Sequence, residues 1–195
     1  MKRSLSLILA LLLLLPVAFA EKTDEFTLRD SITWSSTPEE VTEAVGKKPI
    51  SQSADRCSYY SYFLVPFGKC SGTMQAVFSG KENAQLVALC YMLTQPPRKQ
   101  TEDQAVADLK AALDMLYTPA ECDLAVVTDT FNLLCQAIGE PVLEESDFSG
   151  GSCKWTAFED TDILLTKVNG TWTIVYFNRI GIDEVLSSQV STFGL

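Results

Sequence analysis

The amino-acid sequence predicts an α+β protein in which an antiparallel sheet packs on two or three helices. Three observations predict this class. Short segments are apolar throughout or alternate between apolar and polar residues, as strands do. Longer segments begin at helix-capping residues and end at glycine and proline. The order of helix, Gly-Pro stop and three strands occurs twice, which fits either a tandem of two helix-plus-three-strand units or one antiparallel sheet wrapped on the helices.

The composition excludes several classes of function. The chain has 195 residues, of which 47% are hydrophobic, so it can bury a core and is not disordered as a whole. Its formal net charge of −10 argues against nucleic-acid binding, which depends on clustered lysine and arginine. The sequence contains no histidine, and this excludes Ser-His and Cys-His catalytic dyads and imidazole metal ligands.

Residues 1–20 are predicted to be a cleaved secretory signal peptide. Lys2 and Arg3 form its basic start, residues 5–15 its apolar region and residues 18–20 a small-x-small cleavage site. An apolar run of this length is too short to span a membrane, so we expect no transmembrane anchor after cleavage behind Ala20. The sequence therefore predicts a secreted or extracytoplasmic protein.

Residues 95–98, Gln-Pro-Pro-Arg, divide the remaining chain into two α+β halves, 21–97 and 98–195, which we expect to form one compact unit. The first half is predicted to begin with an N-terminal strand at 26–34. A helix should follow, because Thr37 can cap it, Pro38 suits its first position and Glu40 completes a capping box; Gly46 should end it. Three strands are expected at 59–65, 73–79 and 86–93, with a turn at 81–83 between the last two.

The second half should begin with two helices. Thr101 can cap the first, with Gln104 as capping-box partner. The helix should present one apolar stripe to a core, formed by Val106, Leu109, Leu113 and Leu116. Residues 118–121, Thr-Pro-Ala-Glu, repeat the earlier helix start and predict a second helix that ends at Gly139. Its apolar stripe is expected at Leu124, Val127, Phe131, Leu134 and Ile138.

The last part of the chain should return to strands. Residues 144–152, with Gly150 and Gly151, are predicted to be a polar loop. Residues 169–170, Asn-Gly, are a strong signal for a type I′ hairpin. The expected strands and the short closing helix lie at 154–158, 162–168, 171–177 and 182–190.

Six cysteines follow the predicted signal: Cys57, Cys70, Cys90, Cys122, Cys135 and Cys153. An even number in an exported chain favours disulfides. Equal spacing favours the local pairs Cys57–Cys70 and Cys122–Cys135, which would leave Cys90–Cys153 as a long-range bridge. The alternative is that some are reduced core residues, which suits Cys90 in its strand and Cys135 in its helix. No Cys-x-x-Cys motif supports a metal site.

Short motifs recur along the chain in a definite order. Phe26, Arg29, Ile32 and Trp34 precede residues 37–41, Thr-Pro-Glu-Glu-Val, and Gly46; Trp155, residues 160–163 and Val175-Tyr176 follow later. This order resembles small secreted α+β proteins of Gram-positive gut bacteria, except that Ser35 stands where their pattern has glycine. The helix-Gly-Pro-strand unit is also similar to the small domain of outer-membrane assembly lipoproteins, tandem copies of which build the β-lactamase inhibitor protein. The resemblance implies a fold and an envelope location, and no catalytic residue.

Paired carboxylates are the enzyme chemistry that the sequence leaves open. The chain after the signal has no Gly-x-Ser-x-Gly, no Ser-x-x-Lys and no glycine-rich phosphate loop. A glycosidase needs two carboxylates that flank a sugar, and acidic residues cluster in two places. These residues are Glu144, Glu145, Asp147, Glu159, Asp160 and Asp162. Solvated loop charge explains them more simply, so we expect no enzyme and no cofactor or metal.

The strand at 59–65 carries more aromatic residues than one core face can take. Alternation places Tyr60 and Tyr62 opposite Tyr59 and Phe63. One face is therefore a candidate binding surface, unless helices cover the sheet on both sides. The sequence predicts a secreted, non-enzymatic protein that binds another protein or a cell-envelope component through a sheet face. The alternatives are a carboxylate-dependent hydrolase and a small-ligand carrier.

Overall fold

The computed structural model describes residues 27–28, 31–53, 56–79, 84–96, 98–117, 121–158 and 160–193, with side chains as far as residue 188. The predicted signal peptide and the turn at 81–83 lie outside these ranges. The helices of the described part are α1 (Pro38–Val45), α2 (Glu102–Leu116), α3 (Leu124–Ile138) and α4 (Arg179–Phe193). The strands are β1 (Ile50–Ser53), β2 (Cys57–Phe67), β3 (Cys70–Ser79), β4 (Gln85–Gln95), β5 (Phe148–Phe158), β6 (Thr161–Val168) and β7 (Thr171–Asn178).

All seven strands form one antiparallel sheet in the order β1-β2-β3-β4-β7-β6-β5. This confirms the α+β class. The two parts of the chain meet where the last strand of each pairs, with Ala88 opposite Phe177 and Met92 opposite Thr173. A single sheet therefore contains strands from before and after residue 97.

Helices cover both faces of the sheet. On one face, α1 contributes Val41 and α2 contributes Ala105, Val106 and Leu113 to a core with Tyr62, Tyr91, Trp155 and Ile174. On the other face, Leu134 and Ala137 of α3 and Ile182 of α4 pack on Val77 and Val175. Of the two arrangements considered for the aromatic strand, the structure therefore shows a sheet enclosed from both sides.

The helix ends follow the local signals in the sequence. Thr37 and Thr101 each make the predicted capping box, with Glu40 and Gln104 as partners. Gly46 and Gly139 end α1 and α3 in the left-handed conformation, with φ of 66° and 79°. The hairpin between β6 and β7 has positive φ at both Asn169 and Gly170, as a type I′ turn requires.

The predictions of an N-terminal strand and of the start of helix α3 are wrong. No strand forms at the described positions of 26–34, because Ser31 has a φ of 70° and Leu28 N donates to the Ile32 carbonyl across a turn. Helix α3 begins at Leu124, with Asp123 as its N-cap, rather than within 118–121. Glu121 is held extended by paired backbone hydrogen bonds to Lys154; residues 118–120 lie outside the described part.

The structure also extends two predicted elements and adds one. Strand β5 starts at Phe148 and runs through the predicted polar loop, with an irregular pairing at Gly150. Gly150 has a φ of 78°, and a Cβ there would lie 3.0 Å from the ring of Trp172, so the bulge depends on glycine. Helix α4 is longer than the predicted closing helix, and the polar strand β1 was not predicted.

Candidate binding groove beside helix α2

A half-open groove of about 410 Å³ lies between helix α2 and the turn that joins β2 to β3. Its walls are mostly apolar. They are formed by Gly68, Cys70, Ala105, Leu109, Ala112 and Met115. Met115 is 87% exposed and the adjacent Leu116 is 71% exposed, so apolar surface continues from the groove to the end of the helix.

The sequence of α2 explains why a groove forms here. Only Ala105, Val106 and Leu113 of this helix are buried, and alanine side chains are too short to fill the space beside the sheet. Leu109 approaches the turn closely, because a Cβ at Gly68 would lie 3.4 Å from its Cδ2. The predicted apolar stripe is thus confirmed at Val106 and Leu113, which are buried, and in part at Leu109, which is half-buried. It is wrong at Leu116, whose side chain is exposed to solvent.

Polar groups stand at the mouth of the groove. The amide nitrogen of Gln100 donates to Asp108 Oδ2 over 3.0 Å, and Lys69 Nζ lies 3.7 Å from the same oxygen. The other amide atom, Gln100 Oε1, is buried and has no hydrogen-bond partner in the described part of the chain. Such an acceptor costs about 1–3 kcal/mol if it stays unpaired. Burial raises the pKa of the Cys70 thiol, and Asp108 raises it further. The thiol that Cys70 contributes to the wall of the groove is therefore neutral and weakly nucleophilic.

Polar contacts tie α2 to the sheet. Trp155 Nε1 donates to Asp114 Oδ1 over 2.9 Å, and Lys110 Nζ lies 2.8 Å from Asp114 Oδ2. These two bonds, that from Lys110 first, lower the pKa of Asp114. A further ion pair joins Lys167 to Glu102 at 3.6 Å. Besides the buried contacts of Ala105, Val106 and Leu113, α2 is therefore attached through charged side chains that water reaches.

The four aromatic residues proposed as a binding face do not form one. Tyr62 is completely buried and shares a 2.9 Å hydrogen bond with Thr42. Tyr60 packs edge-on against Phe78, in the same core. Tyr59 lies on the opposite face, where its hydroxyl donates to Glu140 over 3.3 Å. Alternation was thus right for these three, and the helices that enclose the sheet make them core residues.

Phe63, the fourth residue, is 53% exposed at an irregularity of the sheet edge. The next residue, Leu64, has a φ of 54° and is also exposed. Lys47 Nζ donates to the carbonyls of both residues, over 2.9 and 2.6 Å. A bulge and a lysine at an edge hinder the addition of another strand, so this apolar spot is a protected edge and a weak candidate for binding.

One disulfide is present, between Cys122 and Cys153, and the three predicted pairs are wrong. Cys57 pairs with Ser79 and Cys70 with Phe67, which places the two cysteines at opposite ends of one hairpin. Cys122 precedes α3 and Cys135 lies in its last turns, roughly 20 Å away at 1.5 Å per residue. The observed bridge fixes the start of α3 to strand β5.

The other four cysteines, Cys57, Cys70, Cys90 and Cys135, are free thiols. Burial raises the pKa of Cys90 to about 12 and that of Cys135 to about 11. Burial also raises the pKa of Cys57. These two values agree with the interpretation of Cys90 and Cys135 as reduced core residues, since the thiolate is the reactive form.

The acidic residues considered for hydrolysis do not build an open carboxylate pair. Asp162 is 1% exposed and is surrounded by Lys154 Nζ at 3.2 Å, Arg179 Nε at 3.7 Å and the Thr156 hydroxyl at 3.1 Å. Asp160 accepts a 2.7 Å hydrogen bond from Thr161. Asp162 therefore balances the charges of Lys154 and Arg179 and is closed to a substrate.

The remaining acidic candidates have local roles or lie elsewhere. Asp147 accepts from the backbone of Glu144 in a short 3-10 turn with Glu145, and Glu159 lies outside the described residues. In the described ranges no three His, Cys, Asp or Glu side chains are grouped to hold a metal, and no helix there is long and apolar enough to cross a membrane. No protein-family model, curated protein or solved structure matches this chain.

The amino-acid pattern of α2 does not predict the groove, because its residues have the spacing of an ordinary amphipathic helix. A signal was present at residues 115–117, Met-Leu-Tyr, which follow Leu113 after the single polar residue Asp114. Successive helix residues are rotated by 100°, so a run of apolar residues cannot all face one core. Part of this helix end must therefore be exposed or meet another molecule.

Proposed function

We propose that this chain is an exported, non-enzymatic protein that binds a partner protein at the α2 groove, which receives an apolar side chain of that partner. The observation that carries the proposal is an apolar groove lined by the exposed side chain of Met115, with the exposed Leu116 next in sequence. Large apolar side chains at such exposure are unfavourable in water unless a partner covers them.

The shape of the groove favours a protein over a small ligand. Sites for small molecules bury about 70–90% of the ligand surface, whereas this groove is half-open. Protein interfaces combine an apolar centre with a polar rim. Here Leu109, Ala112 and Met115 form the centre, and Lys69 and Asp108 stand at the rim.

Two further features support an extracytoplasmic location. The sequence begins with the basic, apolar and cleavage regions of a signal peptide. The Cys122–Cys153 bridge suits an oxidising compartment, since disulfides are rare in reducing ones. The acidic residues also fit binding better than hydrolysis, because Asp162 is buried and is paired with Lys154 and Arg179.

The test is affinity capture from cell-surface extracts with the wild-type protein and two variants. Ala112→Trp fills the groove, and Ala125→Trp places the same side chain at an exposed position of α3. We expect wild type and Ala125→Trp to retain the same partner and Ala112→Trp to lose it by at least tenfold. Unchanged thermal unfolding of both variants would show that the fold is intact.

Two results would contradict the proposal. One is equal capture of the partner by Ala112→Trp, which would place the contact elsewhere. The other is a retained molecule that is a glycan, a lipid or a small metabolite, which would identify a carrier or an envelope-binding protein of another kind.

A further inference from the structure

We propose that the α2 groove selects an anchor that combines an apolar part with a positive charge. The anchor is the hydrocarbon stem of a lysine or arginine, or an aliphatic or aromatic side chain next to one of these residues. This inference rests on the proposed function, because it names the chemistry of the group that enters the same groove. It is carried by the polar atoms at the mouth of the groove.

Acceptors outnumber donors at this mouth. Asp108 uses Oδ2 for both of its side-chain contacts, with Gln100 and with Lys69. Its Oδ1 makes no hydrogen bond or ion pair within the described residues. Gln100 Oε1 is likewise without a partner there and is enclosed by protein. A group that supplies hydrogen-bond donors can pair with the exposed Asp108 Oδ1, whereas an acceptor cannot.

Among the described residues that line the groove, the one cation, Lys69, is loosely held. Lys69 Nζ lies 3.7 Å from Asp108, beyond hydrogen-bonding distance, and the two side chains are 76% and 54% exposed. Exposed pairs of this kind contribute little to stability. An incoming ammonium or guanidinium that forms a direct hydrogen bond to Asp108 can therefore displace Lys69 without disturbing the fold.

The remaining features favour the same charge. The apolar wall of Ala105, Leu109, Ala112 and Met115 receives the hydrocarbon part of the group, as basic side chains bury their stems and keep the charge at the rim. The formal net charge of the chain is −10, which attracts a cationic partner and repels an anionic one at long range.

The probes for the test are octylammonium, octanol and octanoate, which share one chain and differ in charge. Binding is followed by the NMR shift of the Met115 methyl group, with the fully buried Met74 as internal control. We expect octylammonium to bind at least tenfold more tightly than octanol, and octanoate more weakly than either. Asp108→Asn should abolish this preference, whereas Asp103→Asn, on the same helix and outside the groove, should keep it.

Equal or tighter binding of octanoate would overturn the inference, as would a charge preference that survives in Asp108→Asn or the absence of octylammonium binding. These failures are distinguishable from failure of the proposed function. If Ala112→Trp still loses the partner protein while the probes show no charge preference, the groove is the binding site and only its selectivity for cations is wrong.

Discussion

Helices α2 and α3 have the same length, 15 residues, and lie on opposite faces of one sheet, yet they are held in different ways. Helix α3 is joined to β5 by the Cys122–Cys153 bridge at its start, and Val127, Leu134 and Ala137 are buried against the sheet. Helix α2 is tied through Asp114 and Glu102 and leaves Met115 exposed.

The difference separates a structural helix from a helix available for binding. Helix α3 buries six of its residues, including Val127 and Leu134, and this burial stabilises its position on the sheet. Helix α2 buries three residues, Ala105, Val106 and Leu113, and its remaining apolar surface lines the groove or faces water. The predictions that follow test this contrast, beginning with the largest effect on stability.

Removal of the disulfide should destabilise the protein most. The bridge closes a loop with a sequence separation of 31 residues, which corresponds to about 3–4 kcal/mol in the chain-entropy account. We expect the double variant Cys122→Ser, Cys153→Ser to lose this amount of unfolding free energy in urea denaturation. The Met115 methyl shift should remain unchanged, and a large change there would show that α2 depends on the bridge as much as α3 does.

A matched pair of leucine truncations compares the two helices directly. Leu134→Ala in α3 removes a buried side chain and should cost about 3 kcal/mol, the middle of the usual range. Leu116→Ala in α2 removes a side chain that faces solvent and should change stability by less than about 0.5 kcal/mol. Denaturant midpoints measure both, and similar losses for the two variants would contradict the exposure of Leu116.

Acid should loosen α2 before it affects α3. The pKa of Asp114 is lowered from 3.8 by its bonds to Lys110 and Trp155, so the carboxylate form stabilises the fold above that pH. The contribution disappears as the pH falls through the lowered pKa, because protonation weakens both bonds. In an acid titration we expect the indole N–H resonance of Trp155 to move below about pH 4.

Two variants control this titration. Asp114→Asn should show the altered Trp155 resonance already at neutral pH, whereas Asp103→Asn should behave as the wild type. A Trp155 resonance that follows the global unfolding curve in all three proteins would indicate that Asp114 does not hold the helix.

Features fixed within a few residues could be predicted from the sequence. The capping boxes at Thr37 and Thr101 and the Asn169-Gly170 turn are confirmed, because each depends on hydrogen bonds or backbone angles within one turn. Met74, Ala76 and Phe78 occupy alternate positions along β3 and are completely buried, since alternate residues of a strand share one face. Strand β1 escaped prediction because all four of its residues are exposed, so no apolar pattern marks it.

Features that depend on tertiary arrangement could not be predicted. The partner of Cys153 depends on the backbone pairing of Glu121 with Lys154, which brings Cys122 to the edge of β5. The enclosure of Tyr60 and Tyr62 depends on α1 and α2 folding over their face of the sheet. The groove depends on how far α2 lies from the turn at Gly68, and sequence spacing contains no measure of that distance.

Site-specific photocrosslinking tests the central claim, that a partner protein binds α2 and leaves α3 free, most directly. A benzophenone side chain would replace Ala112 at the groove in one protein and Asp129, exposed on α3, in another. After irradiation with cell-surface extract, we expect one discrete protein adduct from position 112 and none from position 129. The same adduct from position 129, with none from position 112, would contradict the account.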